Sequence, residues 1–202
     1  MGAYRRLRRS LTRAKIAAQD ELSMLDCHLP DRQDNKITTI RPARAADVSA
    51  LLAIEAEAFA SDRLSERSFR ALVAARSAAL LVTEKVSISG YALVLFRKNS
   101  RAARLYSLAV RPGKSGRGFG AQLLAAAERE AARRGADRLR LEVRADNARA
   151  LRFYRAHGYV LFGRKEHFYA DGEAALRLQR DLVAPRRKPS AHNRAVNTVA
   201  DG

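Results

Sequence analysis

VRPGKSGRGFGAQLL, residues 110–124, is the stretch whose reading decides the fold. Three glycines, Gly116, Gly118 and Gly120, alternate between a strand-like apolar run over 105–110 and a helical pattern carrying Leu123, Leu124, Ala127 and Ala131. Glycine accepts positive φ, and its missing side chain lets backbone N–H groups approach a ligand. At a helix start those N–H groups have no intrahelical partner, and with the helix dipole they form a seat for phosphate. Lys114 and Arg117 add positive charge. Two better-known phosphate motifs fail here. Gly113-Lys114-Ser115 resembles the end of a Walker A loop, but that loop needs glycine five residues earlier, where Leu108 stands. The spacing G-x-G-x-G is also not the G-x-G-x-x-G of a dinucleotide fold. The plain alternative is a flexible strand-to-helix connection that holds nothing.

Outward from this turn, helices interleave with strands. A short strand over 37–41 ends at Pro42, and Asp47 is placed to cap a helix carrying Val48, Leu51, Leu52, Glu55 and Phe59. Ser65 opens a second helix with Phe69, Leu72 and Val73. Residues 79–83 and 91–96 read as strands around a turn containing Gly90, and the helix after the glycine turn stops at Gly135. Leu139, Leu141 and Val143 alternate as a strand, and 147–156 is a helix ended near His157 and Gly158. Strands near 159–163 and 174–181 follow. Several strand pairs are close enough in sequence to be antiparallel. The expectation is a mixed α/β (α+β) domain over 37–183, with a largely antiparallel twisted sheet of about six to seven strands and about four helices.

The 202 residues carry a net charge of +18 and a single cysteine, Cys27, so no disulfide can form within one chain. No apolar run reaches the roughly 18 residues of a membrane span, and the first 19 residues hold no continuous apolar block of a secretory signal. The expected location is cytoplasmic. Residues 1–36 form a basic amphipathic extension, with Tyr4, Leu7, Leu11, Ala14, Ala18, Leu22 and Leu25 at helical spacing. Residues 184–202, with two prolines and little periodicity, are expected to be a disordered basic tail. Either tail is a candidate contact for ribosomal RNA, yet the charge has an equally good source in an alanine- and arginine-rich composition. No stripe of basic residues with interleaved aromatics supports a nucleic-acid site.

Four pieces, SLAVRP (107–112), GRGFG (116–120), LEVRADN (141–147) and ALRFYRAHGY (150–159), stand in unbroken order and spacing. Together they resemble the GNAT superfamily of N-acetyltransferases, and most of all its ribosomal-protein-alanine branch, which acetylates protein N-termini. The resemblance implies that acetyl-CoA is the co-substrate, with no metal. It implies that Leu108, Ala109 and Val110 pair with the pantetheine arm and polarise the thioester. Gly116, Arg117, Gly118, Phe119, Gly120 and Ala121 match the pyrophosphate loop, and Asn147 matches an asparagine that contacts the cofactor. Glu142 matches the general base and Tyr154 the general acid. One departure is Ser115, where the family usually has arginine or glutamine.

The residue types suit the chemistry. An amine attacks a thioester only when neutral, so a carboxylate must take its proton. Glu142 alternates with Leu141 and Val143 and therefore shares the opposite face with Arg140 and Arg144. A tyrosine hydroxyl can protonate the departing thiolate. Read without the resemblance, Glu142 is a salt-bridge partner of flanking arginines, Tyr154 a core residue beside Ala150 and Leu151, and Asn147 a helix start. The acceptor implied by the branch is a protein α-amino group. His167-Phe168-Tyr169, with Glu173 and Ala174, partly matches that branch's peptide site, whereas 59–69 lacks its tryptophan. A small-molecule amine, or an RNA-associated protein that holds acetyl-CoA without turnover, are the competing readings.

Overall fold

The computed structural model describes residues 38–59, 63–84, 86–114 and 117–182, together with a two-residue strand at 15–16. The strands are β1 (Lys15–Ile16), β2 (Thr39–Pro42), β3 (Ala78–Glu84), β4 (Ile88–Leu95), β5 (Ala102–Val110), β6 (Arg138–Arg144), β7 (Val160–Lys165) and β8 (Ala175–Asp181). The helices are α1 (Val48–Ala58), α2 (Glu66–Ala74), α3 (Phe119–Arg133) and α4 (Ala148–Ala156), with a 3₁₀ turn at Ala45–Asp47. The sheet order is β2-β3-β4-β5-β6-β8-β7, and β1 pairs onto β5. The pairs β5–β6 and β1–β5 are parallel; the others are antiparallel. This is the mixed, largely antiparallel sheet with four α-helices that the sequence predicts.

Apolar alternation along the central strands feeds two cores, one on each face. Leu123, Leu124, Ala127 and Ala131 of α3 and Ala150, Leu151 and Tyr154 of α4 pack with Val94, Leu105, Leu139, Leu141 and Val143. On the other face Leu51 and Ile54 of α1 and Phe69 and Leu72 of α2 pack with Leu80, Val82, Tyr91, Leu93 and Tyr106. Each fully buried Leu, Ile or Phe contributes about 1.5–3 kcal/mol over its exposed state.

The predicted helix stops and starts are specific. Ser65 Oγ accepts the Ser68 N–H at 3.2 Å and opens α2. Gly135, at φ +85°, ends α3, and the Ala136 N–H returns to the Ala131 carbonyl at 3.0 Å. Asp47 acts differently from the expected cap. Its carboxylate accepts the Arg44 N–H at 2.7 Å and the Arg41 guanidinium at 2.6 Å, and so tightens the 3₁₀ turn before α1. Gly90 lies inside β4 rather than in a turn. A Cβ there would stand 2.6 Å from the Ala109 carbonyl oxygen and 3.1 Å from Leu123 Cδ1, so the close approach of the β5 backbone, beneath α3, requires glycine.

Of the helix expected near the N-terminus, the described residues Lys15 and Ile16 are extended. The remainder of that segment lies outside the described residues, as do residues 183–202. No helix among the described residues is long and apolar enough to cross a membrane.

Candidate active site

The site begins where two parallel strands separate. β5 and β6 pair only at Ala102–Arg138, Ala103–Leu139 and Arg104–Arg140. Further along, β6 continues against β8 as far as Arg144, while β5 continues against β4 as far as Val110. The β4–β5 register skips Tyr106, since Leu93 pairs with Ser107 and Val94 with Leu105. Such an extra residue bends a strand and increases its twist. The edge of β5 that faces β6 is thereby freed over the stretch containing Leu108, Ala109 and Val110. Lys15 and Ile16 lie along this edge, opposite Ser107 and Leu108.

The glycine turn joins the end of β5 to α3. Gly118 has φ +75° in the left-handed region and sits at the N-cap of α3. The Gln122 N–H bonds the Gly118 carbonyl at 3.0 Å, so the N–H groups of Phe119, Gly120 and Ala121 stand at the open start of the helix. Phe119 is buried and anchors this end, while Lys114 and Arg117 are exposed. Gly120 has room for a side chain, because a Cβ would meet Phe153 only at 3.8 Å. Ser115 and Gly116 lie outside the described residues.

Glu142 faces away from Leu141 and Val143 as alternation predicts, yet it is buried, at 7% exposure. Its ion-pair partners come from neighbouring strands and not from the flanking arginines. Arg104 Nε of β5 donates to Glu142 Oε2 at 2.8 Å, and Arg177 Nε of β8 stands 4.0 Å from Oε1. Arg140 turns to Gln179 at 3.1 Å. Arg144 bonds Asp146 at 2.8 Å and Asp171 at 2.7 Å, and stacks on the Tyr169 ring.

Tyr154 is fully buried in the α3/α4 core, and its hydroxyl has no hydrogen-bond partner among the described residues. Burial pushes the phenol pKa well above its ordinary value, so the group holds its proton at neutral pH. Asn147 is the N-cap of α4, with its side-chain oxygen accepting the Ala150 N–H at 2.9 Å. That bond occupies only the oxygen and leaves the amide nitrogen as a donor. An open strand edge, a helix start behind a left-handed glycine and an orphaned buried hydroxyl are the groups a pantetheine thioester with a pyrophosphate needs. The residues present therefore fit acetyl-CoA.

Two features lay beyond sequence reasoning. Glu55 of α1, at 1% exposure, accepts the Leu64 N–H at 2.6 Å and the Tyr91 hydroxyl, which also meets Ser107 Oγ at 2.9 Å. This buried chain ties the α1–α2 wall to β5 at Ser107, beside the freed edge. The only local signal was a glutamate on the apolar face of α1. Arg104 is the second, and its partnership with Glu142 follows from strand register alone. Among the described residues, no group of three or more His, Cys, Asp or Glu is placed to hold a metal.

Comparison with known proteins gives the same reading. Residues 47–159 match the sequence model of the Acetyltransferase (GNAT) family. The ribosomal-protein-S18-alanine N-acetyltransferase of Escherichia coli has a similar structure, with a TM-score of 0.65 and 26% identity, over 75% of this chain and 99% of that one. YncA of Salmonella typhimurium, solved with its cofactor acetyl-CoA, superposes with a TM-score of 0.63 at 24% identity, over 77% of this chain and 99% of its own, a likeness of fold. A mycothiol acetyltransferase of Jonesia denitrificans is 37% identical over 87 residues, which are 43% of this chain and 28% of that protein. The chain thus spans well under a third of the curated relative it matches. With the family match covering more than half of the chain and the fold agreeing over 75% of it, the chain belongs to the GNAT family of acetyl-CoA-dependent acetyltransferases.

Proposed function

We propose that the chain transfers the acetyl group of acetyl-CoA to a primary amine, the N-terminal α-amino group of a protein, by direct attack within a ternary complex. The observation that carries the assignment of roles is the buried, unpartnered hydroxyl of Tyr154, set on the other face of the sheet from the buried carboxylate of Glu142. Glu142 takes the proton of the incoming ammonium, directly or through water. The backbone of Leu108, Ala109 and Val110 holds the thioester and offers N–H groups to the negative charge that develops on its carbonyl oxygen. The bond from carbon to sulfur breaks, and Tyr154 gives its proton to the sulfur. The helix start from Gly118 to Ala121, with Gly116 and Arg117, seats the pyrophosphate, and the Asn147 amide donates to the cofactor. Arg104 holds the Glu142 carboxylate in place through its 2.8 Å hydrogen bond.

A protein acceptor is supported by the likeness to the Escherichia coli enzyme and by the loop between β7 and β8. There Phe168 and Tyr169 pack edge-on, 5.2 Å between centroids, and Arg144 clamps Tyr169. Burial, together with the nearby Glu142 charge, raises the Tyr169 hydroxyl pKa, so it stays neutral beside the acceptor. The test is release of free coenzyme A with a panel of N-terminal peptides and polyamines. Turnover with peptides beginning in alanine or serine is expected. Turnover with polyamines alone would replace the protein acceptor by a small amine, and no release with any acceptor would sink the assignment.

A further inference from the structure

Beside Glu142 the sheet carries more positive charge than the carboxylate needs. A pocket of about 210 Å³ is lined by Arg97, Arg104, Arg140, Arg177 and Glu142, with Phe96 at its side. The strand register creates it. Arg104 stands directly opposite Arg140 across the parallel pair, and Glu142 opposite Arg177 across the antiparallel one. Like charges opposite one another on one face destabilise a sheet. Arg104 is neutralised by Glu142, but among the described residues Arg140 meets a neutral amide and the Phe162 ring, 4.8 Å from its guanidinium, and no carboxylate. Arg177 shares that ring at 4.5 Å, and its buried Nε–H, 4.0 Å from Glu142 Oε1, has no hydrogen-bond acceptor among the described residues. Arg97 is exposed at the rim. Four guanidinium groups against one carboxylate leave this pocket at +3.

A buried donor without an acceptor costs about 1–3 kcal/mol, and it is relieved when an acceptor arrives. Planar guanidinium groups held on an aromatic ring are pre-organised for carboxylate or phosphate oxygens. The pocket has room for such a group and a few further atoms, and it adjoins the carboxylate that takes the amine's proton. We propose that the preferred acceptor carries an anionic group, a carboxylate or a phosphate, close to its amine, and that Arg177, Arg140 and Arg97 hold this group while the amine meets Glu142. This rests on Glu142 as the base, and it narrows the acceptor to a charge class. For a peptide, the acidic residue stands next to the N-terminal one.

The test uses the full chain and matched acceptors in the coenzyme A release assay. Ala-Asp amide is compared with Ala-Asn amide, and Ala-phosphoserine amide with Ala-Ser amide. The anionic member of at least one pair is expected to have a kcat/KM about 10-fold or more above its neutral partner, the scale of one charge-assisted hydrogen bond. The pair with the larger ratio tells carboxylate from phosphate. Arg97→Gln, at an exposed position that leaves folding intact, and Arg177→Gln are each expected to bring that ratio towards one. Because the ratio is internal to each variant, a general loss of activity does not mimic it. Equal kcat/KM within both pairs, or a ratio unmoved in both variants, overturns the anion site while amine acetylation stands. No release with any of the four acceptors, nor with the peptide and polyamine panel, overturns both.

Discussion

Replacing Tyr154 by phenylalanine removes one oxygen and keeps the ring. The ring is fully buried and packs edge-on against Phe153, 5.1 Å between centroids, and Tyr159, 5.4 Å. Phenylalanine retains those contacts. The hydroxyl it lacks has no partner among the described residues. A buried hydroxyl without a hydrogen bond costs about 1–3 kcal/mol by mutational measures. Tyr154→Phe should therefore be stabilised, by about 1 kcal/mol if part of that cost relaxes, which for a domain of this size is a rise of roughly 2–4 °C in Tm. Catalysis should move the other way. Without a general acid at the sulfur, kcat should fall roughly 10²-fold or more, a barrier increase of about 2.7 kcal/mol, with the KM for acetyl-CoA little changed. Thermal melts and initial rates of coenzyme A release measure both quantities. A Tm lowered by several degrees would show that the hydroxyl is bonded in the free protein. An unchanged kcat would remove Tyr154 as the acid. A residue kept only for packing could not give both a higher Tm and a dead enzyme.

Gly90→Ala places a methyl 2.6 Å from the Ala109 carbonyl oxygen and should cost about 1–3 kcal/mol in urea unfolding, with a raised KM for acetyl-CoA because β5 must shift; an unchanged midpoint would contradict the close approach of the β5 backbone. Gly118→Val puts a branched side chain at φ +75° at the start of α3, and calorimetric titration should show loss of acetyl-CoA binding. Normal affinity in that variant would show that the pyrophosphate sits elsewhere. Ile16→Pro removes a backbone donor from the short strand that lies along Ser107 and Leu108. The pantetheine site proposed on this edge overlaps that strand, so the variant should lower the KM for acetyl-CoA a few-fold with kcat unchanged; an unaltered KM would show that they do not compete.

Much of the fold was legible because its signals are local. Ser65, Asn147 and Gly135 mark helix ends through bonds to residues three to five positions away, and sequence spacing carries such bonds directly. Gly90 misled for the same reason. A glycine between two apolar runs reads as a turn, and only the contact with the Ala109 carbonyl of β5 and with Leu123 shows that it lets the neighbouring strand approach closely. Asp47 likewise had a correct place and a different partner, since Arg41 reaches it from β2.

For the site, the alternation of β6 already turned Glu142 away from the α3/α4 core, and the glycine turn already implied a seat for an anion at a helix start. The motif spacing tied the two to one chemistry. What the sequence could not contain is which charges meet. Arg104 lies 38 positions from Glu142 and Arg177 lies 35, and each reaches it through strand register, a non-local property. The glutamate that looked like a partner of Arg140 and Arg144 belongs instead to Arg104. The hydroxyl that looked like ordinary core is orphaned, because burial is decided by how α4 docks on the sheet. Sequence by itself therefore determined the elements, the family and the candidate residues, whose signals lie within a few positions of one another. Tertiary structure decided the partners, the burial and the charge of the pocket beside Glu142, because those depend on the register of strands distant in the chain.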